Sequence, residues 1–158
     1  MEPFGPPNPH FSAASAAGIK VKGYLLDTNV VSELRKPKPH GGVVAWLRKL
    51  PTDQIYLSAV TIGELQAGVE HLRPQDSAKA SEIETWIDQV SASSQILPMD
   101  TVCFREWARL MEGKPDHLLE DVMIAATARV HQLTLATRNE RDFAQLRVEI
   151  LNPFKPKA

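Results

Sequence analysis

Short apolar segments alternate with longer amphipathic segments along most of the chain. Each of the short segments has the length and the apolar character of a buried strand. They lie at residues 24–26, 55–57, 95–97, 133–136 and 147–151. Strands that alternate with helices indicate a parallel sheet covered on both faces. We therefore expect a three-layer α/β/α domain with a parallel sheet of about five strands.

Between these strands the apolar residues follow helical spacing. Helices are predicted over residues 29–34, 42–50, 75–90 and 101–111. Thr61 and Glu64 have the spacing of a capping box, which predicts a further helix opening at Thr61. Asp116 is the predicted N-cap of a helix that runs to about His131.

Both ends of the chain differ in composition from the middle. Residues 1–20 contain four prolines and a run of small residues, which is typical of a flexible tail. Pro153 and Pro156 interrupt regular structure at the other end. The folded domain is therefore predicted to span residues 21–152, followed by a short C-terminal tail at residues 153–158.

Composition narrows the class of protein. The chain has 158 residues, a formal net charge of -1 and a single cysteine, Cys103. The near-neutral charge excludes a global basic field, so a nucleic acid would need a local basic patch or metal ions. One cysteine excludes an intrachain disulfide. No apolar run approaches the roughly 20 residues that cross a bilayer, and no signal peptide is recognisable. We expect a cytoplasmic protein with no membrane partner.

Carboxylate and amide side chains recur where strands end. Asp27 follows the first strand, Glu64 lies just after the second, and Asn139 follows the fourth. Asp121 lies on the apolar side of its helix, where a carboxylate needs a partner or a metal. The carboxyl ends of parallel strands share one edge of the sheet. Hard oxygen ligands meeting there would bind Mg²⁺ or Mn²⁺.

Each of these residues also has a plain structural alternative. Asp27 could be only a helix cap, and the capping box explains Glu64. Asn139 and Asp142 could shape a turn or cap the next helix. Other kinds of site find less support, because no histidine pair has zinc-ligand spacing and no Gly-x-Ser-x-Gly elbow is present.

Four phrases of the sequence carry a more specific signal. They are LDTNVVSE at 26–33, LSAVTIGELQAG at 57–68, DVMIAATA at 121–128 and LATRN at 135–139. In this order they resemble the PIN-domain ribonucleases, and most closely the toxins of the VapC type. The resemblance covers about residues 23–152. It implies a PIN-like fold and metal-dependent cleavage of RNA, with Mg²⁺ or Mn²⁺ bound by Asp27, Glu64 and Asp121.

One position departs from the family pattern. The fourth acid, in those relatives that have one, falls on Asn139, whose amide oxygen can bind a metal but brings no charge. Asp142 lies about one helical turn further on, and we predict that it supplies the missing carboxylate, with Asn139 as a weaker ligand. Asn29 and Thr137 are short polar residues beside the acids and are predicted to orient the ligands.

The resemblance also implies partners. It suggests the toxin of a type II toxin–antitoxin pair, a homodimer that cleaves RNA and is neutralised by a cognate antitoxin. Arg138, Arg35 and Lys36 are the basic residues expected to hold RNA phosphates, with ordinary surface charge as the alternative. One rival function is a nuclease-weak PIN module acting as a binding partner in a DNA-binding regulatory complex. Another is a phosphoesterase with a different substrate.

Overall fold

A computed structural model describes residues 23–155, and all structural statements below concern that range. Five parallel strands form one sheet in the order β3-β2-β1-β4-β5. The strands are β1 (Tyr24–Leu26), β2 (Ile55–Ser58), β3 (Gln95–Leu97), β4 (Thr134–Ala136) and β5 (Ile150–Leu151). The predicted tail at residues 1–20 lies outside the described range, so that prediction is untested.

Helices connect the strands on both sides of the sheet. They are α1 (Thr28–Glu33), α2 (Gly41–Arg48), α3 (Ala59–Leu72), α4 (Ser77–Ser93), α5 (Thr101–Met111), α6 (Leu119–Val130) and α7 (Glu140–Phe143). Within residues 23–155, none of these helices has the length and apolar character needed to cross a membrane.

Strand β1 is the third of the five strands in the sheet order and pairs with β2 on one side and β4 on the other. Leu26 lies opposite Leu57 of β2 and opposite Ala136 of β4. Since all five strands run in the same direction, their carboxyl ends share one edge. The prediction of a parallel α/β/α sheet with about five strands is confirmed.

The two neighbouring leucines of β1 face different hydrophobic layers. Leu25 packs in a core with Ile124 of α6 and Phe143 of α7. Leu26 packs in a second core with Val30 of α1 and Val43 of α2. Successive side chains of a strand point to opposite faces, so one apolar dipeptide joins both layers of helices to the sheet.

The predicted capping box at Thr61 and Glu64 is wrong. Helix α3 begins two residues earlier, at Ala59, and the Ser58 hydroxyl accepts a hydrogen bond from the Val60 amide at 3.0 Å. The strand ends at Ser58 and the helix follows without a loop. Thr61 is therefore already inside the first turn, and its side chain is buried.

Two other boundaries differ from their predictions. Asp116 begins a short 3₁₀ turn (Asp116–Leu118) and makes no side-chain cap, so α6 begins only at Leu119. The fifth strand is shorter than the predicted 147–151, because Arg147 has a φ of 52°, in the left-handed region that no strand can contain. Only Ile150–Leu151 pairs with β4.

The C-terminal segment packs onto the domain beyond Asn152. Phe154 is 9% exposed and belongs to the same hydrophobic core as Leu26 and Val43. The predicted C-terminal tail therefore contributes one aromatic side chain to the core, and the packed part of the chain reaches at least Phe154.

Gly23 allows a close approach at the start of β1, which gives a test of the core. A Cβ added at Gly23 would lie 2.5 Å from Cδ2 of the buried Leu133 and 3.4 Å from the Tyr56 ring. We predict that Gly23→Ala lowers the free energy of unfolding by about 1–3 kcal/mol, as overpacking does. At Gly41 an added Cβ meets nothing within 4 Å. Gly41→Ala should therefore leave urea stability unchanged or slightly higher, and equal losses in both variants would contradict the packing argument.

Candidate active site

The end of β1 and the end of β4 are joined directly at the carboxyl edge of the sheet. Asp27 follows β1 and is the N-cap of α1, and its backbone N–H donates to the Ala136 carbonyl at 2.9 Å. Thr137 is the next residue of the β4 segment and is fully buried. Residues 110 positions apart are thereby placed side by side.

The Asp27 carboxylate is buried, with 4% of the residue exposed, and is held by three donors. Oδ1 accepts from the Thr28 amide at 2.8 Å, while Oδ2 accepts from Thr137 Oγ1 at 2.8 Å and from Asn29 Nδ2 at 3.0 Å. Burial raises the pKa of Asp27, and these three hydrogen bonds oppose the rise. A carboxylate offers about four acceptor positions, so one remains for a further ligand.

Asn29 and Thr137 lie where they were predicted, against the acid. The Asn29 side-chain oxygen accepts from the Arg138 amide at 3.2 Å, and its nitrogen also lies 3.3 Å from Thr137 Oγ1. Thr137 Oγ1 in turn accepts from the Asn139 amide at 2.9 Å. These bonds leave neither side chain free to rotate, so both restrict the orientation of Asp27.

Glu64 is held by a residue that the sequence patterns did not single out. Thr28 Oγ1 lies 2.9 Å from Glu64 Oε1 and 3.1 Å from the hydroxyl of Thr61. A hydroxyl has one hydrogen and a carboxylate only accepts, so Thr28 donates to Glu64. Burial raises the pKa of Glu64, the bond from Thr28 lowers it, and the charges of Asp27 and Glu120 raise it further.

Asp121 links the acids electrostatically. It lies in the first turn of α6, half-buried. Its pKa is raised to about 7, first by burial and then by the negative charges of Asp27, Asp142, Glu64 and Glu120. The predicted acids therefore lie near enough to Asp121 for their charges to act on it from one crevice, and each negative charge makes its ionisation less favourable.

Asn139 and Asp142 are bonded to each other. The side-chain Nδ2 of Asn139 donates to Asp142 Oδ2 at 2.7 Å. Asp142 lies inside α7 and is not its cap, which removes the plain capping alternative for that residue. Its charge acts on Asp121, so this segment contributes one carboxylate to the crevice even though Asn139 is neutral.

The donor set fits Mg²⁺ or Mn²⁺ by its chemistry. The crevice contains carboxylates and an amide, and hard divalent cations prefer oxygen ligands. Across residues 23–155, however, no three Asp, Glu, His or Cys side chains already lie close enough together to form a complete metal site. Burial and the nearby negative charges together raise the pKa of Asp121, and a cation among the carboxylates would offset both.

The predicted basic residues have different surroundings. Lys36 is bonded to the buried carboxylate of Glu33 at 3.1 Å. Arg35 is exposed in the segment that follows α1. Arg138 is exposed, and its guanidinium carbon lies 3.9 Å from the centroid of the Phe154 ring. No sequence signal identified Phe154 as a neighbour of the site, because Pro153 placed it in the predicted tail.

The chain is similar to known proteins over most of its length. Residues 24–149 match the family model described as the PIN domain. The chain is 37% identical over 137 residues to toxin FitB of Neisseria gonorrhoeae, covering 82% of this chain and 97% of that protein. It is 33% identical over 138 residues to VapC ribonuclease Y4jK of Sinorhizobium fredii, covering 84% and 98%.

Solved structures agree with these relatives. The fold matches the structure of FitAB bound to an IR36 DNA fragment with a TM-score of 0.73 and 34% identity, covering 85% of this chain and 98% of that one. It matches FitAcB from Neisseria gonorrhoeae with a TM-score of 0.72 and 36% identity, covering 83% and 98%. A toxin–antitoxin complex from Klebsiella pneumoniae gives 0.65 and 26%, covering 85% and 100%.

The raised pKa of Asp121 predicts a pH-dependent loss of stability. A folded-state pKa of about 7 against an unfolded 3.8 stabilises the fold fully below about pH 4, and this contribution is lost as the pH rises towards 7. With divalent cations chelated, the melting temperature of Asp121→Asn should exceed that of the wild type by a few degrees at pH 7 and approach it at pH 4. The exposed Asp88→Asn should show no such trend. A difference independent of pH would contradict the assignment.

The Asn139–Asp142 bond predicts how the crevice responds to one more charge. Asn139→Asp replaces a donor 2.7 Å from Asp142 with a carboxylate, so the melting temperature without divalent cations should fall by a few degrees. Added Mn²⁺ should restore it and stabilise this variant more than the wild type. Asn152→Asp is the matched control, because Asn152 donates to Glu140 at 3.2 Å and the pair lies outside the acidic set. If Mn²⁺ rescued both variants equally, the crevice would not be the binding site.

Proposed function

This chain belongs to the PIN-domain family, and we propose that it is a Mg²⁺- or Mn²⁺-dependent endoribonuclease, the toxin of a toxin–antitoxin pair. The observation that carries this proposal is that Asp121 is half-buried near three further acids, Asp27, Glu64 and Asp142, so that burial and their charges raise its pKa. Relatives named toxin FitB and VapC ribonuclease, similar over more than four-fifths of the chain, support the substrate class and the role.

The four carboxylates are the residues that would hold the cation. Asp27, Glu64 and Asp121 supply three, and Asp142 the fourth, with the Asn139 side-chain oxygen as a neutral donor. A bound Mg²⁺ or Mn²⁺ would supply Lewis acidity to the phosphodiester and make an attacking water more acidic. The protein's own part is to keep the ligands in place before substrate arrives.

Orientation of the ligands comes from neutral donors. Thr28 joins two acids, because its backbone amide bonds Asp27 and its hydroxyl bonds Glu64. Asn29 and Thr137 bond the second oxygen of Asp27. Residues that orient metal ligands commonly affect activity 10–100-fold, so Thr28 belongs among the functional residues.

Charge explains why RNA would bind only with the cation present. An acidic crevice repels a phosphate backbone, and the chain has no net positive charge to compensate. The cation would neutralise the crevice, and we propose that the exposed Arg138 and Arg35 then bind RNA phosphates beside it. Lys36 contributes less, because its ammonium is already bonded to Glu33.

Solved relatives support a protein partner. The Klebsiella pneumoniae structure is a toxin–antitoxin complex, and FitAB was solved bound to a DNA fragment. We infer that this chain likewise binds a cognate antitoxin, forms a homodimer and works in the cytoplasm. The DNA-bound relative also favours the second candidate function, a nuclease-weak module that acts within a DNA-binding complex.

Cleavage by matched variants separates these two functions. Purified chain with Mn²⁺ should cut RNA, and Asp121→Asn should lose at least about 100-fold in rate, more than residues that only orient ligands. Asp88→Asn removes one exposed carboxylate from α4 and should cleave like the wild type. Induction in cells should arrest growth for wild type and Asp88→Asn only. Equal arrest by a correctly folded Asp121→Asn would favour the binding module.

A further inference from the structure

We propose that Phe154 is a positioning residue that holds the guanidinium of Arg138 at the rim of the crevice, where it binds a backbone phosphate of the RNA. The inference rests on the proposed function and deepens it, since it names how the substrate backbone is held. The observation behind it is that the Arg138 guanidinium stacks on Phe154, which lies in a turn near the C-terminus, while the Arg138 backbone bonds to Asn29 next to Asp27.

Two side chains, Arg138 and His40, lie close to the Phe154 ring. The Arg138 guanidinium carbon lies 3.9 Å from the Phe154 centroid, and the His40 ring lies 5.2 Å away at 59°. Phe154 itself is 9% exposed. A planar guanidinium over an aromatic face is attracted by the ring quadrupole and keeps its donors at the edge, pointing away from the ring.

The turn that carries Phe154 is anchored to the domain. Its backbone amide donates to Asn152 Oδ1 at 2.9 Å, and Asn152 Nδ2 donates to Glu140 of α7 at 3.2 Å. Lys155 bonds the same Glu140 oxygen at 2.6 Å. The turn also lies against α2, because a Cβ at Gly42 would be 3.0 Å from the Pro153 carbonyl. The ring therefore has little freedom to move away from Arg138.

The backbone of Arg138 is tied to the acids. Its amide donates to Asn29 Oδ1 at 3.2 Å, and Asn29 Nδ2 donates to Asp27 Oδ2 at 3.0 Å. Two hydrogen bonds therefore separate Arg138 from the most buried acid. The backbone of Arg138 is therefore held next to Asn29 at the carboxyl edge of the sheet, and Phe154 limits the positions that its guanidinium can reach.

The charge of Arg138 is also available to a substrate, unlike the charges of two nearby lysines. Lys36 is bonded to Glu33 and Lys155 to Glu140. In the part of the chain that the structure describes, no carboxylate lies within ion-pair distance of the Arg138 guanidinium. An exposed, preoriented fork of N–H donors matches the two oxygens of a phosphate. Because stacking limits its rotamers before binding, less entropy is lost when the phosphate arrives.

Steady-state cleavage of a fluorescein-labelled single-stranded RNA of mixed sequence tests the inference. Arg138→Gln should raise KM about 10-fold with kcat nearly unchanged. A plot of the logarithm of the RNA association constant against the logarithm of the salt concentration should become less steep by about 0.7, as the loss of one single-strand phosphate contact predicts. Phe154→Leu should raise KM several-fold at constant kcat. Phe154→Tyr keeps the ring and should retain the wild-type KM even if Phe154→Leu proves unstable.

A double variant decides whether Phe154 acts through Arg138. If it does, Arg138→Gln with Phe154→Leu should be no worse than Arg138→Gln alone, because the two residues form one unit. Arg147→Gln is the matched control: this exposed arginine precedes β5, at the opposite edge of the sheet, and its loss should leave KM unchanged.

The outcomes separate this inference from the function it rests on. Additive effects of the two substitutions, or an unchanged salt slope in Arg138→Gln, would overturn it while cleavage by the wild type upheld the proposed function. RNA that is bound through Arg138 but never cut would uphold the inference and overturn the nuclease. A wild type that neither binds nor cuts the RNA would overturn both.

Discussion

The buried carboxylate of Asp27 is the constraint around which the active-site edge is organised. A carboxylate taken out of water costs several kcal/mol unless donors replace its hydration. Here the donors are Thr28, Asn29 and Thr137, and they come from the segments that follow two adjacent strands. Satisfying one charge therefore joins the ends of β1 and β4 and determines where the neighbouring acids face.

Function and stability oppose each other at this edge. Burial and the like charges gathered in the crevice disfavour ionisation of Asp121 up to about pH 7. The sheet supplies the opposing stabilisation, because Leu25 and Leu26 of the central strand are buried in separate hydrophobic cores. The repulsive site lies at the strand ends, outside the two leucine-lined cores, and a cation bound there would relieve it.

Local patterns in the sequence predicted those features of the fold that depend on neighbouring residues. The apolar runs located β1 and β3, and the position of Asp27 after its strand followed from the same pattern. The cap of α3 was missed because Ser58 and Thr61 are both good caps, and the choice depends on where pairing with β1 stops. Thr28 was missed for a different reason: its bond to Glu64 spans 36 residues, and neither residue signals the other. Phe154 lay beyond a proline, where packing against a distant helix outweighs local composition.

The Asn139–Asp142 pair shows how such a site can change residues without changing charge. An acid at both positions would add a carboxylate within 2.7 Å of another, and the crevice already raises the pKa of Asp121 to about 7. An amide at 139 instead donates to Asp142, which satisfies that carboxylate and orients it. The segment after β4 thus keeps a single negative charge facing Asp121, and Asp142 carries it, about one helical turn after position 139. We therefore expect the total charge of this segment, and its direction towards Asp121, to decide which residues positions 139 and 142 accept.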